Sequence, residues 1–260
     1  MKRYLALFVL LIIGLASCSK KQEVDLSQFA KPEDFVSAEK PTEEIAMKLF
    51  FGTFGKKEST EWQADYLKDE KEVAKFAAQN KLYTSIELFE TIKSGGTERL
   101  VLVTASNTKD ADCAPFVSCF VFAKNDGKWR LESKDYYLSE IGSEGTCDPV
   151  KIIELGASGE FGLIFTGVDE TNAEYALVYA YYKNAFTEAI HFITANDDGG
   201  TDEQEWEFKS DYKFERGAAG GWYDLSVKTT GNQYDSESQK LIDMNKTEQY
   251  SFSAGKYVKK

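Results

Sequence analysis

Four cysteines are the most reactive side chains in this sequence, and three of them lie in one stretch of the chain. Cys119 alternates with Val117 and Val121, which predicts that its side chain points from a strand into the core. Cys113 precedes that strand and Cys147 follows the return of the next hairpin, so we expect both at the same end of a sheet. An oxidising compartment would permit one disulfide among these thiols. We favour Cys113–Cys147, although the sequence alone does not determine the pairing.

A single histidine, His191, is present, which excludes any site that needs two imidazole rings. It lies in the strand-like triplet Ile190-His191-Phe192, where a histidine is more often structural than a general base. The sequence contains no Cys-x-x-Cys metal motif, nucleophile elbow or phosphate loop. Asp and Glu are abundant, so the alternative function is a polymer-directed hydrolase that uses a carboxylate pair, although no motif marks the pair.

Oxygen ligands are concentrated in residues 196–203, which read Asn-Asp-Asp-Gly-Gly-Thr-Asp-Glu. Carboxylates from Asp197, Asp198 and Asp202 in a glycine-containing loop are ligands of the kind that calcium takes in proteins. The spacing lacks the alternation of an EF-hand loop, and a solvated acidic turn is the more common structure for such a segment. Calcium is the one metal that the sequence suggests, and no other cofactor is expected.

The segment Tyr175–Tyr182 has the most distinctive pattern of the predicted strands. A period of two places Tyr175, Tyr179 and Tyr181 on one face and small residues on the other. The small face predicts close packing against a second layer. Tyrosine combines apolar area with a hydroxyl, so the tyrosine face is a candidate binding surface for a protein or a glycan. An aromatic ladder inside a sandwich would give the same pattern.

The start of the chain gives the clearest signal of location. Met1-Lys2-Arg3 is positively charged, and Leu5–Ile13 is an apolar run too short to span a bilayer, which needs about 20 residues. Leu15-Ala16-Ser17-Cys18 follows, and the whole segment resembles a bacterial lipoprotein signal peptide with its lipobox. The resemblance implies cleavage before Cys18, a diacylglyceryl thioether on its sulfur and acylation of the new amino terminus. Several acyl chains give stable anchoring, and Ser19 resembles the signal for outer-membrane sorting.

This signal divides the chain into three parts. Residues 1–17 are the predicted signal peptide, and residues 18–40 are the lipidated cysteine with a flexible tether rich in charged residues, Ser and Gln. Residues 41–260 form one predicted β-rich domain, whose N-terminal segment 41–80 is helical. We predict one helix that begins near Pro41 and is stopped by Gly52 and Gly55, and a second over 69–80.

Alternating apolar residues and frequent turn signals predict antiparallel β structure from Leu82 onward. Asn125-Asp126-Gly127 is a strong hairpin signal between two apolar strands. The strand cores near Leu100, Leu163 and Leu225 recur at roughly sixty-residue intervals, which suggests blade-like repeats. The predicted fold is mainly β, either an antiparallel sandwich or an open, twisted meander sheet, with one or two short N-terminal helices.

Composition limits the partners. The chain has 260 residues and a formal net charge of −12, so a nucleic-acid partner is not expected, because binding phosphates needs clustered Lys and Arg. Aromatic residues make up 14% of the chain, enough for a substantial core. The sequence therefore predicts a non-enzymatic envelope lipoprotein that attaches to the membrane through its lipid. It would act as a binding or structural module, facing the periplasm or the cell surface, for an unknown protein or glycan.

Overall fold

The computed structural model describes residues 24–52, 82–108, 113–197, 206–217, 221–235 and 237–260. The predicted signal peptide with Cys18, the second predicted helix over 69–80 and most of the acidic loop lie outside these ranges. Those predictions therefore stay predictions.

The described chain is mainly β, as predicted, and its strands form two antiparallel sheets. The first sheet has the order β1-β5-β4-β3-β2. The predicted hairpin at Asn125-Asp126-Gly127 joins β4 to β5, with φ of 51° at Asp126 and 74° at Gly127. Two successive positive φ angles match the twist of the flanking strands. The strands of this sheet are β1 Val36–Ser37, β2 Leu82–Ser94, β3 Thr97–Thr108, β4 Phe116–Asn125 and β5 Lys128–Glu140.

The second sheet has nine strands in the order β14-β13-β11-β10-β9-β8-β7-β6, with β12 paired to β11. Most neighbours are consecutive in the chain, so the sheet is a meander. Its strands are β6 Val150–Glu154, β7 Phe161–Val168, β8 Glu174–Tyr182, β9 Ala185–Asp197, β10 Glu207–Arg216, β11 Tyr223–Asp235, β12 Lys240–Asp243, β13 Lys246–Ser253 and β14 Lys256–Lys259.

The α-helix α1, Glu43–Phe51, confirms the first predicted helix. The Thr42 hydroxyl accepts a hydrogen bond from the Ile45 N–H at 3.2 Å, which caps the start of the helix. Gly52 ends the helix with a φ of 75°, a left-handed conformation that favours glycine. Within the described ranges, no helix is both long enough and apolar enough to cross a membrane.

Three apolar cores hold these layers together. The first lies between α1 and the outer face of the first sheet, where the rings of Phe50 and Phe120 stack at 3.7 Å. The second joins the inner face of the first sheet to strands β7–β9 of the second, so the two sheets are stacked as a sandwich. The third lies within the second sheet, between β6–β9 and the strands β10–β14. An isolated bridge between Gly156 and Trp222 joins these two halves, so the second sheet folds back on itself.

The second half of the predicted tether differs from expectation. Phe35 is fully buried in the first core, and β1 pairs with β5 through Val36 and Ser37. Phe29 and Phe35 have ring centroids 5.4 Å apart. This aromatic pair gives the segment apolar area to bury, which the many charged residues of 18–40 did not suggest. The segment from Val24 onward therefore belongs to the folded body. The structure also does not show blade-like repeats, because the three recurring strand cores are divided between the two sheets.

Candidate functional site

The tyrosine face of β8 lies inside the sandwich. Tyr179 and Tyr181 are only 3% and 8% exposed, and both belong to the core between the two sheets. The prediction of a binding surface at Tyr175, Tyr179 and Tyr181 is therefore wrong for the last two residues. The period of two correctly placed them on one face, but the sequence did not reveal that the first sheet covers that face.

The hydroxyl of Tyr181 is part of a polar clamp between the sheets. It donates a hydrogen bond to Glu132 Oε2 on β5 at 2.9 Å. Arg99 on β3 binds both carboxylate oxygens of Glu132, at 2.7 and 3.1 Å, and donates to the Ser94 carbonyl at 2.6 Å. Burial and the Glu132 carboxylate raise the pKa of Tyr181, which keeps the phenol protonated as a donor. Every member of the clamp is therefore hydrogen-bonded, as a stable buried network requires.

Tyr175 lies at the end of the same face and is partly exposed. Its hydroxyl donates a hydrogen bond to Asp148, across Gly167 on β7. A Cβ at position 167 would overlap the Asp148 carboxylate, so a larger residue here would displace Asp148 from Tyr175. The ring of His191 meets Tyr175 edge-on, with centroids 5.1 Å apart. The structure thus brings His191 to a carboxylate-bound tyrosine, an arrangement that sequence reasoning missed.

The described cysteines are free, so the predicted Cys113–Cys147 bridge is not formed. The two segments do meet as expected, since the Gly145 N–H donates to the Cys113 carbonyl at 3.0 Å. Their thiols have different surroundings. Cys113 is exposed beside Asn107, whereas Cys147 joins the core between the sheets, where burial raises its pKa to about 12. Cys119 is buried in the same core, as its alternation predicted.

The acidic segment 196–203 is described only at its start. Asp197 is the last residue of β9, and Asp198 and Asp202 lie outside the described residues. The calcium prediction is therefore untested. Among the residues that the structure does describe, no cluster of three His, Cys, Asp or Glu side chains is placed to hold a metal ion.

A continuous row of aromatic rings runs through the third core, and we call it the aromatic seam. Each ring contacts the next, and the closest pair, Trp222 and Phe252, stacks at 3.7 Å with planes 9° apart. Six of the seven rings are partly exposed, and only Tyr257 is buried. In order of contact, the seam consists of Phe192, Tyr212, Phe214, Tyr257, Phe252, Trp222 and Tyr182.

The strand pairing shows where the first rings of the seam lie. Among the described residues, β9 pairs with β10 at three positions, from Ala195 to Asp197, and the two strands then part. Phe192 on β9 and Tyr212 on β10 lie beyond the point of separation, with their centroids 5.2 Å apart. On β8 and β9 the seam faces small side chains such as Ala180 and Ala189, which leave room for rings.

Tyr257 is the polar group within the seam. Its side chain is 7% exposed, and its hydroxyl is fully covered without a hydrogen-bond partner among the described residues. Its ring lies 5.4 Å from that of Phe252 and 5.8 Å from that of Phe214. A buried hydroxyl without a partner is costly, and most are satisfied by protein, water or a ligand.

Sequence reasoning missed the seam because its rings come from six separate strands and connections. The alternating pattern predicted β structure from Leu82 onward, and all seven rings lie in that part of the chain. That signal was too local to show that the second half of the sheet folds over the first. No protein-family model matches the chain, and comparisons with curated proteins and with solved structures find no similar protein.

Proposed function

We propose that this chain is a lipid-anchored module of the bacterial cell envelope that binds a partner rather than catalysing a reaction. The aromatic seam is the observation that carries the binding role, because it is a continuous, partly exposed apolar feature with one unsatisfied polar group. Contiguous aromatic rings that reach solvent are enriched at interaction sites, because they combine apolar area with polar edges. The seam takes the place of the tyrosine face as the contact region.

The order Leu15-Ala16-Ser17-Cys18 supports the anchor. Val24 packs against the first core and is six residues after Cys18. An extended chain spans about 3.5 Å per residue, so a lipid on Cys18 would hold the folded body within about 20 Å of the membrane surface.

Changing the anchored residue tests this proposal. We expect Cys18→Ser to move the protein out of the membrane fraction, either as unprocessed precursor or as a released form, while the control Cys113→Ser stays attached. Fractionation and mass determination of the N-terminal peptide measure both outcomes. A Cys18→Ser chain that is cleaved yet remains in the membrane would contradict lipid anchoring.

Asp135 is the residue that favours the alternative, a hydrolase with a carboxylate pair. Burial raises the pKa of Asp135 above its ordinary 3.8, as a general acid needs. Burial also raises the pKa of Tyr179, and the charges of Glu188 and Asp135 add to that increase. Turnover of a glycan or peptide by the purified protein, abolished by Asp135→Asn, would overturn the binding role.

A further inference from the structure

We propose that the aromatic seam binds the hydrocarbon chain of an uncharged lipid, whose ester or amide oxygen accepts a hydrogen bond from Tyr257. This inference rests on the binding function proposed above and names the class of ligand.

The shape of the seam favours an elongated apolar ligand. Six of its rings form a continuous chain of contacts from Phe192 to Trp222, with successive centroids between 3.7 and 5.8 Å apart except for the 6.2 Å between Tyr212 and Phe214. Tyr182 closes the end of this chain by contacting both Trp222 and Phe252. A row of this kind offers contact along its whole length, whereas a compact ligand would contact only two or three rings. An extended hydrocarbon chain gains apolar burial with every methylene that it adds to the contact.

We place the entry to the seam where β9 and β10 part. The described residues of β9 before Ala195 have no ladder partner on the β10 side. The rings of Phe192, Tyr212 and Phe214 at this opening are partly exposed, so they are the side chains that a ligand meets first. Phe214 contacts Tyr257, and a shift of the Phe214 ring would bring the ligand to the hydroxyl.

The Tyr257 hydroxyl determines which polar group the ligand carries. It has a proton to donate and no acceptor among the described residues. Because burial raises its pKa, the phenol stays protonated and acts as a donor. A carbonyl oxygen at the end of a hydrocarbon chain would satisfy it, and a simple hydrocarbon would not.

Nearby charges favour an uncharged ligand. Asp224 is close enough to act electrostatically on Tyr257, and its carboxylate is held by Lys260 at 2.7 Å. The lysine is thus already paired, and an anionic head group entering the seam would face a carboxylate. Burying an unpaired charge is much more costly than burying a hydrogen-bonded carbonyl.

Three fluorescent probes that share a pyrene label and an alkyl chain test the proposal: the methyl ester of pyrenyldecanoic acid, the free carboxylate and dodecylpyrene. Each is titrated into the full chain with Cys18→Ser, so that no attached lipid competes. We expect saturable binding of the ester and the hydrocarbon, and binding of the carboxylate at least tenfold weaker.

The variant Tyr257→Phe isolates the hydroxyl, since it keeps the ring. We expect it to weaken ester binding about fivefold, because one hydrogen bond usually contributes a factor of about that size. Dodecylpyrene has no acceptor, so its binding should be unchanged. Tyr175→Phe removes a hydroxyl outside the seam and should change neither.

Failure of all three probes to bind, or equal effects of both variants, would overturn the seam as a lipid site. Carboxylate binding as tight as that of the ester would overturn the uncharged class. Either result would leave the Cys18-dependent anchoring intact, so the two proposals fail independently.

Discussion

The core between the two sheets and the aromatic seam each contain a buried tyrosine, but only the hydroxyl in the core between the sheets has a hydrogen-bond partner among the described residues. Tyr181 is buried between the sheets, and its hydroxyl donates to a carboxylate that Arg99 also holds. Tyr257 is just as buried in the seam, yet its hydroxyl has no partner among the described residues. The first arrangement locks two layers together. The second leaves one polar group unsatisfied among rings that are partly exposed, and the proposed lipid site rests on this difference.

The largest expected effect comes from truncating the tyrosines between the sheets. Tyr179→Ala and Tyr181→Ala should each lower the free energy of unfolding by about 3–5 kcal/mol, because they leave cavities in a packed core. Denaturant unfolding measures the change, and Tyr223→Ala, at a partly exposed residue outside this core, serves as the control. A loss below about 1 kcal/mol would show that these rings are surface groups after all.

Removing only the hydroxyls sharpens the comparison. Tyr181→Phe should lower the free energy of unfolding by about 1–2 kcal/mol, since it removes a hydrogen bond to a charged acceptor. Tyr257→Phe should cause no loss in the ligand-free protein, because its hydroxyl has no bond to lose. Paired thermal and denaturant unfolding of the two variants tests the difference. Equal losses would contradict the distinction between the regions.

The smallest expected effect is a change in pH dependence at Asp135. Burial raises its pKa above 3.8 in the folded state, so the folded protein prefers the protonated form. Its contribution to stability is therefore present below pH 3.8 and is lost as the pH rises through the folded-state pKa. Asp135→Asn should raise stability slightly at pH 7 and have little effect near pH 3. A gain of equal size at both pH values would point to packing rather than charge.

Local patterns allowed much of the fold to be predicted from the sequence. The Asn125-Asp126-Gly127 turn, the helix over 43–51 and the strand of Cys119 each depend on neighbouring residues, and each was found where expected. What could not be predicted was which faces meet. The burial of Tyr179 depends on residues of the first sheet, from Leu88 to Val121, that are distant in the sequence, and the seam depends on a fold-back of the second sheet.

The docking of the N-terminal segment has a consequence for self-association. β5 is the outer strand of the first sheet apart from the two residues of β1, and a bare strand edge invites pairing with another chain. Val36 and Ser37 occupy part of that edge, and Glu33 extends the cover through an ion pair with Lys134 at 2.6 Å. The residues that follow the predicted anchor therefore also shield the sheet. A protein cleaved between Ser37 and α1 would be separated from that predicted anchor, and once the N-terminal segment dissociated it would expose an edge for aggregation.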